Sequence, residues 1–323
     1  MRIEQAGGLL FERAYGETRA IAGMPVFVDT SFDLASLTKV VISTVALAHV
    51  ARGMLALDAP LLALVPEWCG TAHAPITLRN ILAHNAGFQS GADYRALLAS
   101  GERVETYALT HPLVAQAGER VVYSDLGFIA LGAILERLRG RALETIVAET
   151  FPSLAYRPPA SERQTIPATE LDEWRGLVQG TVHDEKAHVM GGVAGHAGLF
   201  GSAGDVARVA EVYLAGLRGA GCAPLNEELV RAAVSVQAED PIARRGLGWV
   251  LKTSDENSCG AKMSAKSFGH TGFTGTSMWC DPERDLTVVF LTNAVHYERG
   301  DLRELRAAVG DAAVDFVECA RSA

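Results

Sequence analysis

Phe32-Asp33-Leu34-Ala35-Ser36-Leu37-Thr38-Lys39-Val40-Val41-Ile42-Ser43-Thr44-Val45-Ala46-Leu47-Ala48-His49-Val50-Ala51 is the stretch that organises the rest of the chain. From Thr38 to Ala51 it is apolar nearly all round, with Val40, Val41, Ile42, Val45, Leu47 and Val50 spread over every side of a helix. A helix apolar on all sides is a buried one, and Gly53 ends it. Ser36 therefore stands at the N-terminus of a central helix. Lys39, one turn on, shares its face.

An S-x-x-K pair in that setting has a chemical reading. A serine hydroxyl is a poor nucleophile until a base takes its proton. A lysine serves as that base only if burial or a nearby cation lowers its pKa. The helix start also favours negative charge, and the Ser36 backbone N–H can face an oxyanion. The plainer alternative makes Ser36 an N-cap and Lys39 a surface lysine, although a first-turn lysine opposes the helix dipole. Two further motifs bear on the choice. Tyr123-Ser124-Asp125 precedes a second apolar helix, where a phenol can relay a proton to a leaving group. His270-Thr271-Gly272 lies in a strand, where glycine admits close approach to the backbone. The Phe273 N–H that follows is a second candidate oxyanion donor. Each has a plain reading too: a packed aromatic with an Asp cap, and an edge strand.

Bulk properties narrow the classes. The 323 residues are 49% hydrophobic and 21% charged, a globular composition, and their number favours two lobes over one. The net charge is −9, from 29 basic and 38 acidic residues, with no basic cluster, which argues against nucleic acid. The five cysteines are scattered and odd in number, so a disulfide framework is not expected. No run of about eighteen apolar residues occurs, so no membrane span is expected. No signal peptide is visible before Gly7, which makes the cytoplasm the expectation, or the periplasm if the N-terminus was trimmed.

Strand patterns cluster at the two ends of the chain. Residues 8–15 suit a strand, and 246–251, 267–273, 275–280 and 286–292 suit four more. Asp281-Pro282-Glu283-Arg284 forms the turn between the last two. Helical patterns fall at 76–84, 126–138 and 141–150, with long loops from 152 to 200. Ser202 and Asp205 have capping-box spacing before a further helix, and 301–319 is amphipathic. The expected class is α+β, an antiparallel sheet built from both chain ends and flanked by helices. Residues 1–45 and 203–323 form an α/β lobe in this reading, and 46–202 a mostly helical one. Ser36 lies at the floor of the cleft between them.

These motifs, in this order, resemble those of the serine β-lactamase-like hydrolases: class C β-lactamases, D-Ala-D-Ala carboxypeptidases, penicillin-binding proteins and related esterases. The likeness extends to Phe32–Lys39, to Thr77-Leu78-Arg79-Asn80-Ile81-Leu82-Ala83-His84-Asn85-Ala86-Gly87, and to Val182-His183-Asp184-Glu185 with Gly191-Gly192-Val193-Ala194-Gly195-His196-Ala197-Gly198-Leu199-Phe200. It spans about residues 8 to 293. It implies the β-lactamase/transpeptidase-like fold, Ser36 as nucleophile, Lys39 as base, Tyr123 as acid/base and an oxyanion hole of the Ser36 and Phe273 amides. Asp125, His270, Thr271 and Gly272 become substrate-binding positions. No metal or organic cofactor is implied, and His183, Asp184, Glu185, His188 and His196 follow no metal-ligand spacing.

Three departures from the family pattern matter. Asp125 stands where the family often has Asn, and a carboxylate there would hold Lys39 protonated. His270 stands where K-T-G has its lysine, and a neutral imidazole is a weak anchor for a carboxylate. The expected activity is acyl-enzyme hydrolysis of a small molecule or short peptide, with an ester-cleaving enzyme favoured. The alternatives are a D-aminoacyl peptidase or carboxypeptidase, which a second cation beside His270 would favour, and a protein that traps an acyl ligand with little turnover. The helix that usually precedes the family's first strand is not expected here, which leaves a sheet edge open or covered by a partner. The oligomeric state is not legible.

Overall fold

The computed structural model describes residues 1–240 and 243–322. The central helix is Leu37–Ala51, and every residue from Leu37 to His49 is buried. Around it gathers the larger core, which includes Phe128 and Leu131 from the helix Asp125–Arg139 and Val206, Val209 and Tyr213 from the helix Ala203–Arg218. The capping box expected at Ser202 forms: its hydroxyl accepts from the Asp205 N–H, and the Asp205 carboxylate accepts from the Ser202 N–H.

Eight antiparallel strands make the main sheet. Their order is Gly8–Glu12, Arg2–Gln5, Leu286–Phe290, Ser277–Asp281, Phe268–Thr271, Val250–Leu251, Arg244–Arg245 and Ala238–Glu239. Both chain ends meet in it, with Ile3 opposite Val288. Side chains alternate between its faces. Met278, Cys280 and Val289 join the larger core. Trp279 and Val288, cross-strand partners, face Ala313, Val314 and Val317 of the last helix, Arg303–Ser322. Helices therefore cover both faces of an antiparallel sheet, the expected α+β arrangement. The edge strand Gly8–Glu12 leaves Leu9 and Leu10 exposed. No helix among the described residues is long and apolar enough to cross a membrane.

Several elements carry no legible pattern. The strand expected over 246–251 is reduced to Val250–Leu251, because Gly246 and Gly248 seat the preceding segment tightly against Ala233 and Ser43. The stretch expected as loops contains a hairpin, Glu170–Asp172 with Gly176–Val178. It also contains Leu199–Gly201, paired with both Phe32–Asp33 and Ala155–Tyr156. Strands of two or three residues are too short to show alternation.

Gly248 and Gly53 both adopt positive φ, +82° and +69°. A Cβ on Gly248 would lie 2.1 Å from the Ser43 Oγ on the central helix, whereas one on Gly53 would meet nothing within 4 Å. Gly53→Ala is expected to cost about 1 kcal/mol. Gly248→Ala should cost about 3 kcal/mol or more, since steric overlap adds to the strain. Urea unfolding of the two variants checks this, and equal midpoints would refute the tight seat.

Candidate active site

The turn into the central helix is strained and pinned. Ala35 has φ +47°, an uncommon conformation for a residue with a side chain. The buried Asp33 carboxylate holds it by accepting from the Ala35 N–H at 2.8 Å and the His183 N–H at 2.6 Å. Burial pushes the Asp33 carboxyl up to about 6, even though both N–H groups favour the anion. Thr274 donates to the Asp33 carbonyl and Thr276 to the Leu34 carbonyl, at 2.9 and 3.1 Å. The segment after strand Phe268–Thr271 is thereby stitched to the residues just before Ser36. Gly272 belongs to this seam. A Cβ there would fall 2.1 Å from Thr276 Oγ1 and 2.8 Å from the Leu34 carbonyl, so the chain itself requires the close approach.

Ser36 does not cap its helix with its side chain. Its hydroxyl instead accepts from Lys39 Nζ at 2.9 Å. The Lys39 side chain is wholly buried. Its ammonium also donates to the His196 carbonyl at 3.1 Å and pairs with Asp125 Oδ1 at 2.9 Å. Burial opposes the charge, but Asp125 and Tyr123 outweigh it, and the ammonium is held above the ordinary lysine range. Tyr123 lies between two cations, with Lys39 Nζ 5.0 Å and the Arg245 guanidinium 5.3 Å from its ring centre. Ser124 fixes it in place. Its N–H donates to His84 Nδ1, and its hydroxyl accepts the Gly127 N–H to cap Asp125–Arg139.

A cleft of about 500 Å³ is lined by Ser36, Tyr123, His270, Thr271, Gly272 and Phe273. The motifs at 36, 123 and 270 thus converge on one space. Sequence reasoning missed that Arg245 and Arg306 line it too. His270 is buried, and burial together with Lys39 and Arg245 lowers its imidazole to about 3. Its Nδ1 lies 2.8 Å from the Thr271 carbonyl, and its Nε2 has no partner among the described residues. Arg306 donates to the Gly272 and Thr276 carbonyls at 2.8 and 3.2 Å. The only sign of Arg245 in the sequence was the Arg244-Arg245 pair, which lies outside every motif. Asp184 and His196, which follow no metal-ligand spacing in the sequence, lie behind Lys39, as does Lys186, which belongs to no motif. Asp125, Asp184 and His196 place ligand-type atoms within 4.8 Å of one another, yet Lys186 Nζ already bridges the two carboxylates at 3.3 and 3.0 Å. An ammonium there takes the place a metal ion would need.

A family model described as Beta-lactamase matches residues 3–312. The chain belongs to the beta-lactamase family. Its members are serine hydrolases. The chain is 31% identical to a putative D-alanyl-D-alanine carboxypeptidase of Escherichia coli K12, over 89% of this chain and 76% of that protein. It is 30% identical to an N-acetylmuramyl-L-alanine amidase of Bacillus subtilis 168, over 91% and 76%. Solved structures share the fold. A class C beta lactamase from Rhodobacter sphaeroides superposes with a TM-score of 0.73 at 18% identity, covering 100% of this chain and 94% of that one. EstCE1, a hydrolase with promiscuous acyltransferase activity, does so with 0.77 at 19%, covering 97% and 92%.

Asp125→Asn removes the main attraction that keeps Lys39 charged and leaves Tyr123 to oppose burial. The pH at which Lys39 loses its proton should fall by about one unit or more. Nitrogen NMR of lysine-labelled protein reads it directly, and an unmoved titration would refute the role given to Asp125.

Proposed function

We propose that this chain is a serine hydrolase that cleaves an amide whose leaving group carries a carboxylate, as a carboxypeptidase does. Ser36 Oγ attacks the carbonyl, and the Ser36 and Phe273 N–H groups receive the oxyanion. Lys39 is charged at rest, so it steadies the developing negative charge and orients Tyr123. The Ser36 proton passes to the Tyr123 oxygen while the phenol gives its own proton to the departing nitrogen. The C–N bond breaks, leaving the acyl group on Ser36. Water then enters by the same relay in reverse and releases the acid. Thr271 and Gly272 form the wall beside the scissile bond.

Arg245 carries the substrate assignment. His270 is uncharged near neutral pH and cannot attract a carboxylate, but Arg245 lines the same cleft and supplies a permanent cation. The curated relatives at 30–31% identity are named for amide-cleaving activities, which supports the same reading. A second reading, an esterase for neutral substrates, draws on the uncharged His270.

Three variants separate these readings. Ser36→Ala and Lys39→Ala should each abolish turnover of a short-chain p-nitrophenyl ester and leave the fold intact; wild-type rates in either would sink the mechanism. Arg245→Met should raise KM for a peptide ending in D-Ala-D-Ala by about tenfold to a hundredfold and barely change ester hydrolysis. An equal effect on both substrates, or none on the peptide, favours the esterase. A stoichiometric burst without turnover would instead identify an acyl-trapping protein.

A further inference from the structure

Behind Lys39 the polar groups close into a ring. Lys39 Nζ meets Asp125 Oδ1 at 2.9 Å, and Asp125 Oδ2 meets Lys186 Nζ at 3.3 Å. Lys186 meets Asp184 Oδ2 at 3.0 Å, and Asp184 Oδ1 meets His196 Nε2 at 2.8 Å. The His196 carbonyl then accepts from Lys39 Nζ at 3.1 Å. Four separate segments contribute: the central helix, the start of Asp125–Arg139, the start of the short helix Glu185–Val189, and the glycine-rich loop holding His196. Asp184 also caps the short helix by accepting the Ala187 N–H at 2.9 Å. The side chains of Lys39 and His196 are almost fully buried, and Lys186 is nearly so.

We propose that Lys186 is a positioning residue for acylation, the member that closes this ring and thereby fixes Lys39 against Ser36. The inference rests on the reading of Ser36 and Lys39 given above. Two carboxylates this close repel unless a cation lies between them. Lys186 is that cation. Two ammonium groups and two carboxylates balance in charge, which is how four ionised groups share a site with little access to water. Without Lys186, Asp125 and Asp184 would share only Lys39 and His196. One carboxylate would then take up a proton at a higher pH, and the grip on Lys39 would slacken.

The charged and titratable groups facing the ring are few. Asp33 lies near Asp184, and Arg175 near Asp33. Tyr123 touches Lys39, while His84 and His270 feel its charge together with that of Arg245. Of these Asp33, raised to about 6, ionises within the acidic arm of activity in wild type and variants alike, so the ring's own carboxyls are the groups to follow.

The test is the titration of the Asp125 and Asp184 carboxyls, read by carbon NMR of aspartate-labelled protein beside kcat/KM for the p-nitrophenyl ester, in wild type, Lys186→Met, Lys186→Arg and the double variant Asp184→Asn/Lys186→Met. Lys186 helps to hold both carboxyls below the usual carboxylate range, so in Lys186→Met the midpoint of at least one of them should rise by about one pH unit while kcat/KM falls. Lys186→Arg should restore it. The double variant, which has no second carboxylate to neutralise, should also return toward the wild-type midpoint, and it stands in if Lys186→Met does not fold. A purely structural lysine would lower kcat/KM and leave both carboxyl titrations where they are. Unmoved Asp125 and Asp184 titrations in Lys186→Met, or a double variant shifted as far as the single one, overturn the proposal. Ser36→Ala in the same series keeps the two ideas apart: turnover there overturns the reading of Ser36 rather than the role of Lys186.

Discussion

A wholly buried ammonium is the constraint on which the site depends. Lys39 emerges from a helix that is buried on every side, so its charge cannot reach water and must be met by the protein. It is met from three directions, by Ser36 in its own first turn, by Asp125 from the second helix and by the His196 carbonyl from the glycine-rich loop. Each partner comes from a different stretch of chain. Folding the lysine in therefore assembles the site. The strained turn at Ala35 is the local cost, offset by the two N–H bonds to Asp33 and by the two threonine hydroxyls that bind the neighbouring carbonyls.

The sequence was most informative where periodicity was long or chemistry was local. The all-apolar run after Thr38, the capping box at Ser202 and the paired strands around Asp281–Arg284 each specify their own structure, and all three are present. Ser36 and Lys39 share one helical turn, so their contact was readable from spacing alone. Arg245 was not. It reaches the cleft because its two-residue strand pairs with Val250, beside Gly269 in the next strand, and nothing near it in sequence marks that register. Lys186 was invisible for the same reason. A lysine after an acidic pair reads as solvated until the fold brings Asp125 beneath it.

Charge in the cleft also reads differently once the fold is known. His270 in place of a lysine suggested a site without a cation. The structure keeps the imidazole neutral and brings a guanidinium to the same space from another strand, so the positive charge is moved rather than lost. An arginine placed there stays charged at any working pH and presents a planar fork to a carboxylate. The imidazole Nε2, with no partner among the described residues, adds a neutral hydrogen-bonding group beside it.

The sheet carries a consequence for how the molecule is made. Arg2–Gln5 pairs on one side with the hairpin strand beside it, but on the other its partner is Leu286–Phe290. At roughly 5–20 residues per second, a ribosome needs on the order of tens of seconds to deliver that second partner. Through that interval the N-terminal hairpin has no sheet to join, and a lone hairpin is barely stable in water. The helices of the middle can collapse around Leu37–Ala51 long before. Closure of the sheet is thus a late, long-range event, and the nascent chain passes through a stage with an open strand edge that a chaperone or a neighbouring chain can reach.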